Sequence, residues 1–181
     1  MNRWIATALL LAGLLYPFAV YFGIEHLSPR LFASVLGGLW LARALSDTKK
    51  PGNRLLALVA LVFCAALWLF DSPDLLRWYP VLINLTLLAV FGLSLTFGPP
   101  VIERIARLTE PDLPPSGVRY TRQVTWLWIG FFIFNASLAT ALTLWAPLAW
   151  WTLYNGLIAY LLIGLLFTGE WLVRQRLRSR V

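Results

Sequence analysis

The segment from Pro99 to Arg122 reads PPVIERIARLTEPDLPPSGVRYTR and is the longest polar stretch in a chain otherwise built of apolar runs. At about 100° per residue, its first half has one apolar and one charged helical face. The apolar face comprises Val101, Ile102, Ile105, Ala106 and Leu108, and the charged face comprises Glu103, Arg104, Arg107 and Glu110. The pattern predicts an amphipathic helix in a membrane surface over about residues 100–110, which Pro111 ends.

The residues of this segment leave a second interpretation open, a solvated connector between two membrane spans. Glu103 and Arg107 are four residues apart with the acid first, which is the favourable order for a helical ion pair. Under either interpretation, we expect any function exposed to solvent to lie here, because the rest of the chain is so apolar.

The composition is that of an integral membrane protein. Of 181 residues, 60% are hydrophobic and only 13% are charged, whereas a soluble domain carries about a quarter charged residues. Several apolar runs exceed the roughly 18 residues that cross a bilayer. We therefore expect an all-α fold, a polytopic transmembrane helix bundle in which residues 1–181 form one integral membrane domain.

The apolar runs predict six transmembrane spans. They cover about residues 4–22, 30–46, 55–70, 79–97, 123–144 and 151–172, and a basic tail follows at 173–181. The first run is interpreted as an uncleaved span because no small-residue cleavage site follows it.

The positive charges indicate the orientation of these spans. If the loops alternate between the two sides, every Lys and Arg except Arg30 and Arg77 falls on the side of the two termini. By the positive-inside rule, that side is cytoplasmic. The net charge of +7 is then explained by orientation and by contact with anionic lipid head groups, and nucleic acid is not expected as a partner. The predicted location is a membrane, with both termini on its cytoplasmic side.

The tryptophans fit the same interpretation. All ten lie within about two helical turns of a predicted span end, which is typical of the aromatic belt at a membrane interface. We therefore expect them to act as interfacial anchors.

The two predicted external loops offer one candidate catalytic site. The one histidine, His26, follows Glu25 in a predicted external loop, and Asp71 and Asp74 lie in the other external loop. These four side chains are one candidate site, but a lone histidine does not make a zinc site without other strong ligands. The alternative is that an aspartate caps a helix. The expectation is a protein that is not an enzyme and needs no cofactor or metal.

Three amides, Asn84, Asn135 and Asn155, are candidate polar contacts at membrane depth. Such amides usually form hydrogen bonds between helices. A second interpretation is that they line, together with Tyr154, a cavity for an acyl or polyprenyl lipid.

The second half of the chain carries an ordered set of short motifs. They are Pro100-Val-Ile-Glu-Arg104, Leu113-Pro114, Trp128-Ile-Gly-Phe-Phe132, Trp145-Ala-Pro147 and Trp151. Over roughly residues 79–174 the chain resembles the bacterial intracellular septation family, the YciB/IspZ-like inner-membrane proteins. Ala139 stands where the family typically has Asn, and Asn155 stands where it often has Lys, which suggests a diverged branch.

The resemblance implies a non-enzymatic inner-membrane protein, a scaffold or accessory factor in envelope maintenance, division or envelope-lipid synthesis. The implied partners are membrane lipids and envelope or lipid-synthesis proteins. The candidate cytoplasmic interaction surface comprises Glu103, Arg104, Arg107, Arg119 and Arg122. The alternative function is a small transporter or carrier for an acyl or polyprenyl lipid.

Overall fold

The computed structural model of the protein describes residues 11, 15–22, 28–46 and 51–178. Every regular element within these ranges is helical, which confirms the predicted all-α fold. The predictions for Glu25 and His26 fall outside the described residues, as do most of the predicted first span and the end of the basic tail.

Most helices follow the apolar runs, but the helix over Pro115–Trp145 begins eight residues before the predicted span at 123–144. We name them α1 (15–22), α2 (Pro29–Ser46), α3 (Pro51–Phe70), α4 (Pro73–Leu76), α5 (Tyr79–Ser94), α6 (Val101–Ala106), α7 (Pro115–Trp145), α8 (Leu148–Leu153) and α9 (Ala159–Arg178). A π-helical turn, Tyr154–Ile158, joins α8 to α9 without a break in the helix. Prolines at the starts of α4, α5 and α7 suit the first helical turn, where a backbone N–H has no partner in any case.

Two helices among the described residues are long and apolar enough to cross a membrane. They are Pro115–Trp145 and Leu148–Gln175, while Ala57–Phe70 and Tyr79–Ser94 are shorter apolar helices. α7 has 31 residues and is therefore about 46 Å long, enough to cover a hydrocarbon core of about 30 Å and extend beyond it. The six-span topology stays a prediction.

Two helix pairs contain most of the buried apolar side chains. α2 packs against α3, and a Cβ on Gly37 would lie 3.4 Å from the Cβ of Cys64, so the two backbones approach closely. α5 packs against α7 through an aromatic cluster, in which the Phe91 ring lies 5.1 Å from Phe132 and 6.4 Å from Trp128.

The prediction that the tryptophans are interfacial anchors is wrong for three of the nine that the structure describes. Trp151 is fully buried, and Trp40 and Trp128 are nearly so, because each faces a neighbouring helix rather than the outside. Position along a helix predicts depth in a membrane, but it does not predict which way the indole ring points. Trp126, Trp145 and Trp150 are exposed, as an anchor would be.

The bundle has two ends with different chemistry. At the first end, Arg30 at the start of α2 pairs with Asp71 after α3, and Arg77 binds the last turn of α7. At the second end lie the start of α7 and the end of α9, joined by a hydrogen bond from the Tyr120 hydroxyl to the Glu170 carbonyl. We call the second end the arginine end; by chain direction it carries Arg43, Arg104, Arg107, Arg119, Arg122 and Arg174.

Candidate functional site

An ion pair fixes the chain at α6. Arg107 Nη2 lies 2.8 Å from Glu103 Oε1, and Arg107 Nη1 donates to the Pro111 carbonyl at 2.8 Å. The predicted pairing of Glu103 with Arg107 is therefore confirmed. α6 ends at Ala106, earlier than predicted. In the turns that follow, the N–H groups of Leu108 and Thr109 bond three residues back and that of Glu110 bonds four residues back.

The prediction that Glu103 lies on an outward charged face is wrong. Glu103 is only 6% exposed, and Ile102 beside it packs against the aromatic cluster of α7. Ile105 and Leu108, assigned to the same apolar face as Ile102, are not covered by the protein. The reason is that α6 packs against α7, and this contact decides which side chains of α6 the protein itself buries.

Arg104 is exposed, but a hydrogen bond holds its side chain in place. Its Nε donates to the Pro99 carbonyl at 2.7 Å, which stabilises the turn between α5 and α6. Gly98 in this turn has φ of +122°, a conformation that favours glycine. Arg104 therefore both holds the turn and presents charge at the surface.

Arg119 and Arg122 lie on the first two turns of α7, and both are exposed. Of the five predicted surface residues, Arg104, Arg119 and Arg122 are exposed, Arg107 is half-buried, and Glu103 is buried. The structure thus divides the predicted surface into an inner ion pair and an outer set of three guanidinium groups.

Two of the three predicted intramembrane amides meet in one hydrogen-bonded chain. The Tyr154 hydroxyl donates to Asn135 Oδ1 at 2.6 Å, and Asn135 Nδ2 donates to Asn84 Oδ1 at 2.9 Å. Asn84 Nδ2 donates in turn to the Pro80 carbonyl at 2.8 Å. All three side chains are buried, so the chain links α5, α7 and the π-helical turn.

The third amide is separate from this chain. Asn155 Nδ2 donates to the Trp151 carbonyl at 2.9 Å within its own helix. Asn155 lies in the π-helical turn, a local widening of the helix that often occurs at functional sites. The widening puts Gly156 against Phe18 of α1, where an added Cβ would come within 2.9 Å of the ring.

Sequence reasoning missed the role of Arg77. Its Nη2 donates to the carbonyls of Leu142 at 2.9 Å and Ala146 at 2.7 Å. The Arg77 carbonyl accepts hydrogen bonds from Thr143 Oγ1 and Trp151 Nε1, both at 3.1 Å. The sequence held one signal that a donor would be needed here. Pro147 marks the end of α7, and the last carbonyl groups of a helix have no hydrogen-bond partners within it.

The described part of the candidate external site has a structural role. Asp71 has a positive φ of 46° and its Oδ2 lies 3.4 Å from Arg30 Nε. Ser72, not an aspartate, occupies the N-cap of α4, so the capping prediction is wrong, and Asp74 lies exposed in the first turn. Among the described residues, no group of three or more His, Cys, Asp or Glu side chains could hold a metal ion.

The chain was compared with family models, with curated proteins and with solved structures. None of the three comparisons found a match. The resemblance to the septation family therefore stays a prediction from the motifs.

Proposed function

We propose that the protein is a non-enzymatic, multi-pass protein of the bacterial inner membrane that acts as a scaffold or accessory factor. Its working surface is the arginine end, and its partners are anionic head groups and envelope or lipid-synthesis proteins. The observation that carries the proposal is the exposure of Arg104, Arg119 and Arg122 at one end of the bundle.

The arginines at the other end differ in their surroundings. Arg77 donates to two backbone carbonyls, and Arg30 is paired with Asp71 and lies 5.7 Å over the Trp68 ring. The exposed arginines at the arginine end can instead bind carboxylate or phosphate groups in a bidentate manner. Each arginine near an anionic membrane surface contributes about 1 kcal/mol of attraction.

Two further features support a role without chemistry. The amides at membrane depth bond to other protein groups, as expected of packing contacts between helices. The resemblance to the septation family also favours division or envelope maintenance. The alternative function, a lipid carrier, needs space for an acyl or polyprenyl chain. A groove between α7 and α9 offers such space, whereas the buried amides do not line it.

The test neutralises two exposed arginines that make no contribution to the Glu103 ion pair. A variant with Arg119→Gln and Arg122→Gln is expected to lose at most about 2 kcal/mol of partner affinity, roughly thirtyfold, since each exposed ion pair contributes about 1 kcal/mol or less. The measurement is quantitative mass spectrometry of division and envelope-synthesis proteins cross-linked to the chain in living cells. Glutamine is preferred to glutamate because charge reversal in a loop can change membrane orientation.

The matched control is Arg119→Lys with Arg122→Lys, which keeps both charges and should retain the cross-links. Both variants must reach the membrane at the wild-type level. If the glutamine variant cross-links the same proteins in the same amounts, the arginine end is not the docking surface. The proposal also fails if deleting the protein leaves division and the envelope unaffected.

A further inference from the structure

A groove of about 350 Å³ runs between α7 and α9 near the arginine end. Its apolar walls are side chains from both helices, namely Val124, Leu127, Leu165, Leu166 and Val173. Gly169 lies in the wall of α9, and a Cβ added there would meet nothing within 4 Å. The missing side chain therefore leaves part of the groove open.

The polar groups of the groove are concentrated at one level. Tyr120, Gln123 and Glu170 line it, and the Tyr120 hydroxyl lies 3.4 Å from Glu170 Oε1. From this level, Leu127 on α7 and Leu165 on α9 lie deeper in the bundle because the two helices are antiparallel. Apart from Val173, the groove is thus polar near the arginine end and apolar further in.

The groove is short enough to lie within one leaflet of a bilayer. Tyr120 and Leu127 are seven residues apart, which is about 10 Å along a helix. Half of the hydrocarbon core of a bilayer measures about 15 Å. An acyl chain that entered at the level of Tyr120 would therefore lie beside Leu127 and Leu165 without leaving its own leaflet.

Glu170 is the one charged side chain among the residues that line the groove, and Arg174 and Arg119 adjoin lining residues on α9 and α7. Arg174 Nε lies 3.6 Å from Glu170 Oε1, so these two charges offset each other, while the Arg174 side chain is still 44% exposed. Arg119, exposed beside Tyr120, adds a second positive charge. The described side chains at this level therefore favour one anionic group.

We propose that the groove between α7 and α9 binds one anionic glycerophospholipid of the surrounding membrane. One acyl chain lies between Leu127 and Leu165, and the phosphate contacts the guanidinium group of Arg174. Tyr120 and Gln123 lie at the level of the ester oxygens of the lipid. This inference rests on the proposed membrane location and specifies the lipid partner, but it does not depend on any protein partner.

The test fills the groove with a side chain. The purified protein in mild detergent is titrated with phosphatidylglycerol and the bound lipid is counted by native mass spectrometry. Gly169→Leu is expected to weaken binding at least about tenfold, because the leucine occupies the space of the acyl chain. Arg174→Gln is expected to weaken it by a similar factor, since a hydrogen bond to a charged group is lost.

The matched control is Gly164→Leu, five residues earlier on α9 and about 140° around the helix. A Cβ at Gly164 also meets nothing within 4 Å, so binding should equal that of the wild type. Equal binding by the two leucine variants would overturn the proposal. Displacement of the lipid by inorganic phosphate alone would also overturn it, because the acyl chain would then contribute nothing.

The two proposals can fail separately. Loss of protein cross-links with lipid binding intact would leave the groove assignment standing, since the titration uses the purified chain. Equal binding of phosphatidylcholine and phosphatidylglycerol would contradict the role of Arg174. A polypeptide that remained bound in the groove in place of lipid would contradict the assigned occupant.

Discussion

Replacing Arg77 with methionine is expected to lower the free energy of unfolding by about 3 kcal/mol. The guanidinium group donates to the carbonyls of Leu142 and Ala146 at the end of α7. Each hydrogen bond from a charged group contributes about 1.5–3 kcal/mol, and a positive charge also suits the C-terminal end of a helix. Because Arg77 is only half-buried, we expect each of its two hydrogen bonds to contribute the lower end of this range. Thermal unfolding in detergent, followed by tryptophan fluorescence, measures the loss.

Arg30→Met is the matched control because Arg30 is the other arginine described at this end of the bundle. Its ion pair with Asp71 is solvent-exposed, with side-chain exposures of 55% and 36%, and such pairs contribute about 1 kcal/mol or less. The Arg30 variant should therefore unfold close to the wild type. If both variants lose the same stability, the assignment of Arg77 to the end of α7 is wrong.

The second large effect is expected at Asn135. Asn135→Leu removes the middle member of the chain from Tyr154 to Asn84 and breaks both of its hydrogen bonds. The Tyr154 hydroxyl and the Asn84 carbonyl oxygen would then remain buried without these partners. An unsatisfied buried polar group costs about 1–3 kcal/mol, so we expect a loss of roughly 2 kcal/mol in the same unfolding measurement.

Asn155→Leu is the control, since Asn155 is as buried as Asn135 but, among the described residues, its amide donates to the Trp151 carbonyl of its own helix. Its loss should stay below about 1 kcal/mol. Tyr154→Phe should also cost little when Asn135 is already leucine, because the shared hydrogen bond is gone. Equal losses at Asn135 and Asn155, or full additivity of Tyr154→Phe with Asn135→Leu, would contradict a connected chain.

Most of the helices were predictable because a long apolar run marks each of them in the sequence. The predicted segment 30–46 corresponds to Pro29–Ser46, and 79–97 corresponds to Tyr79–Ser94. The burial of Glu103 was not predictable, since it depends on α6 packing against α7. Periodicity assigns residues to faces of a helix, but it does not say what each face will meet.

The candidate site was predictable in residue type and only partly in arrangement. Asn84 and Asn135 were expected to bond between helices, but their pairing across 51 residues of sequence needed the packing of α5 on α7. In the sequence, Arg77 was used only as a positive charge that indicates the orientation of the spans. Its hydrogen bonds to α7 depend on a tertiary contact across 65 residues, which no local pattern records.

The measurement that tests the central claim most directly is the membrane orientation of the arginine end. Single cysteines are introduced by Ser116→Cys at the start of α7 and by Asp74→Cys in α4, in a Cys64→Ala background; Ser116 and Asp74 are both exposed. An impermeant maleimide is applied to bacteria with an opened outer membrane. We expect it to label the α4 variant at once and the α7 variant only after the inner membrane is permeabilised. Labelling of the α7 variant from outside would contradict a cytoplasmic arginine end.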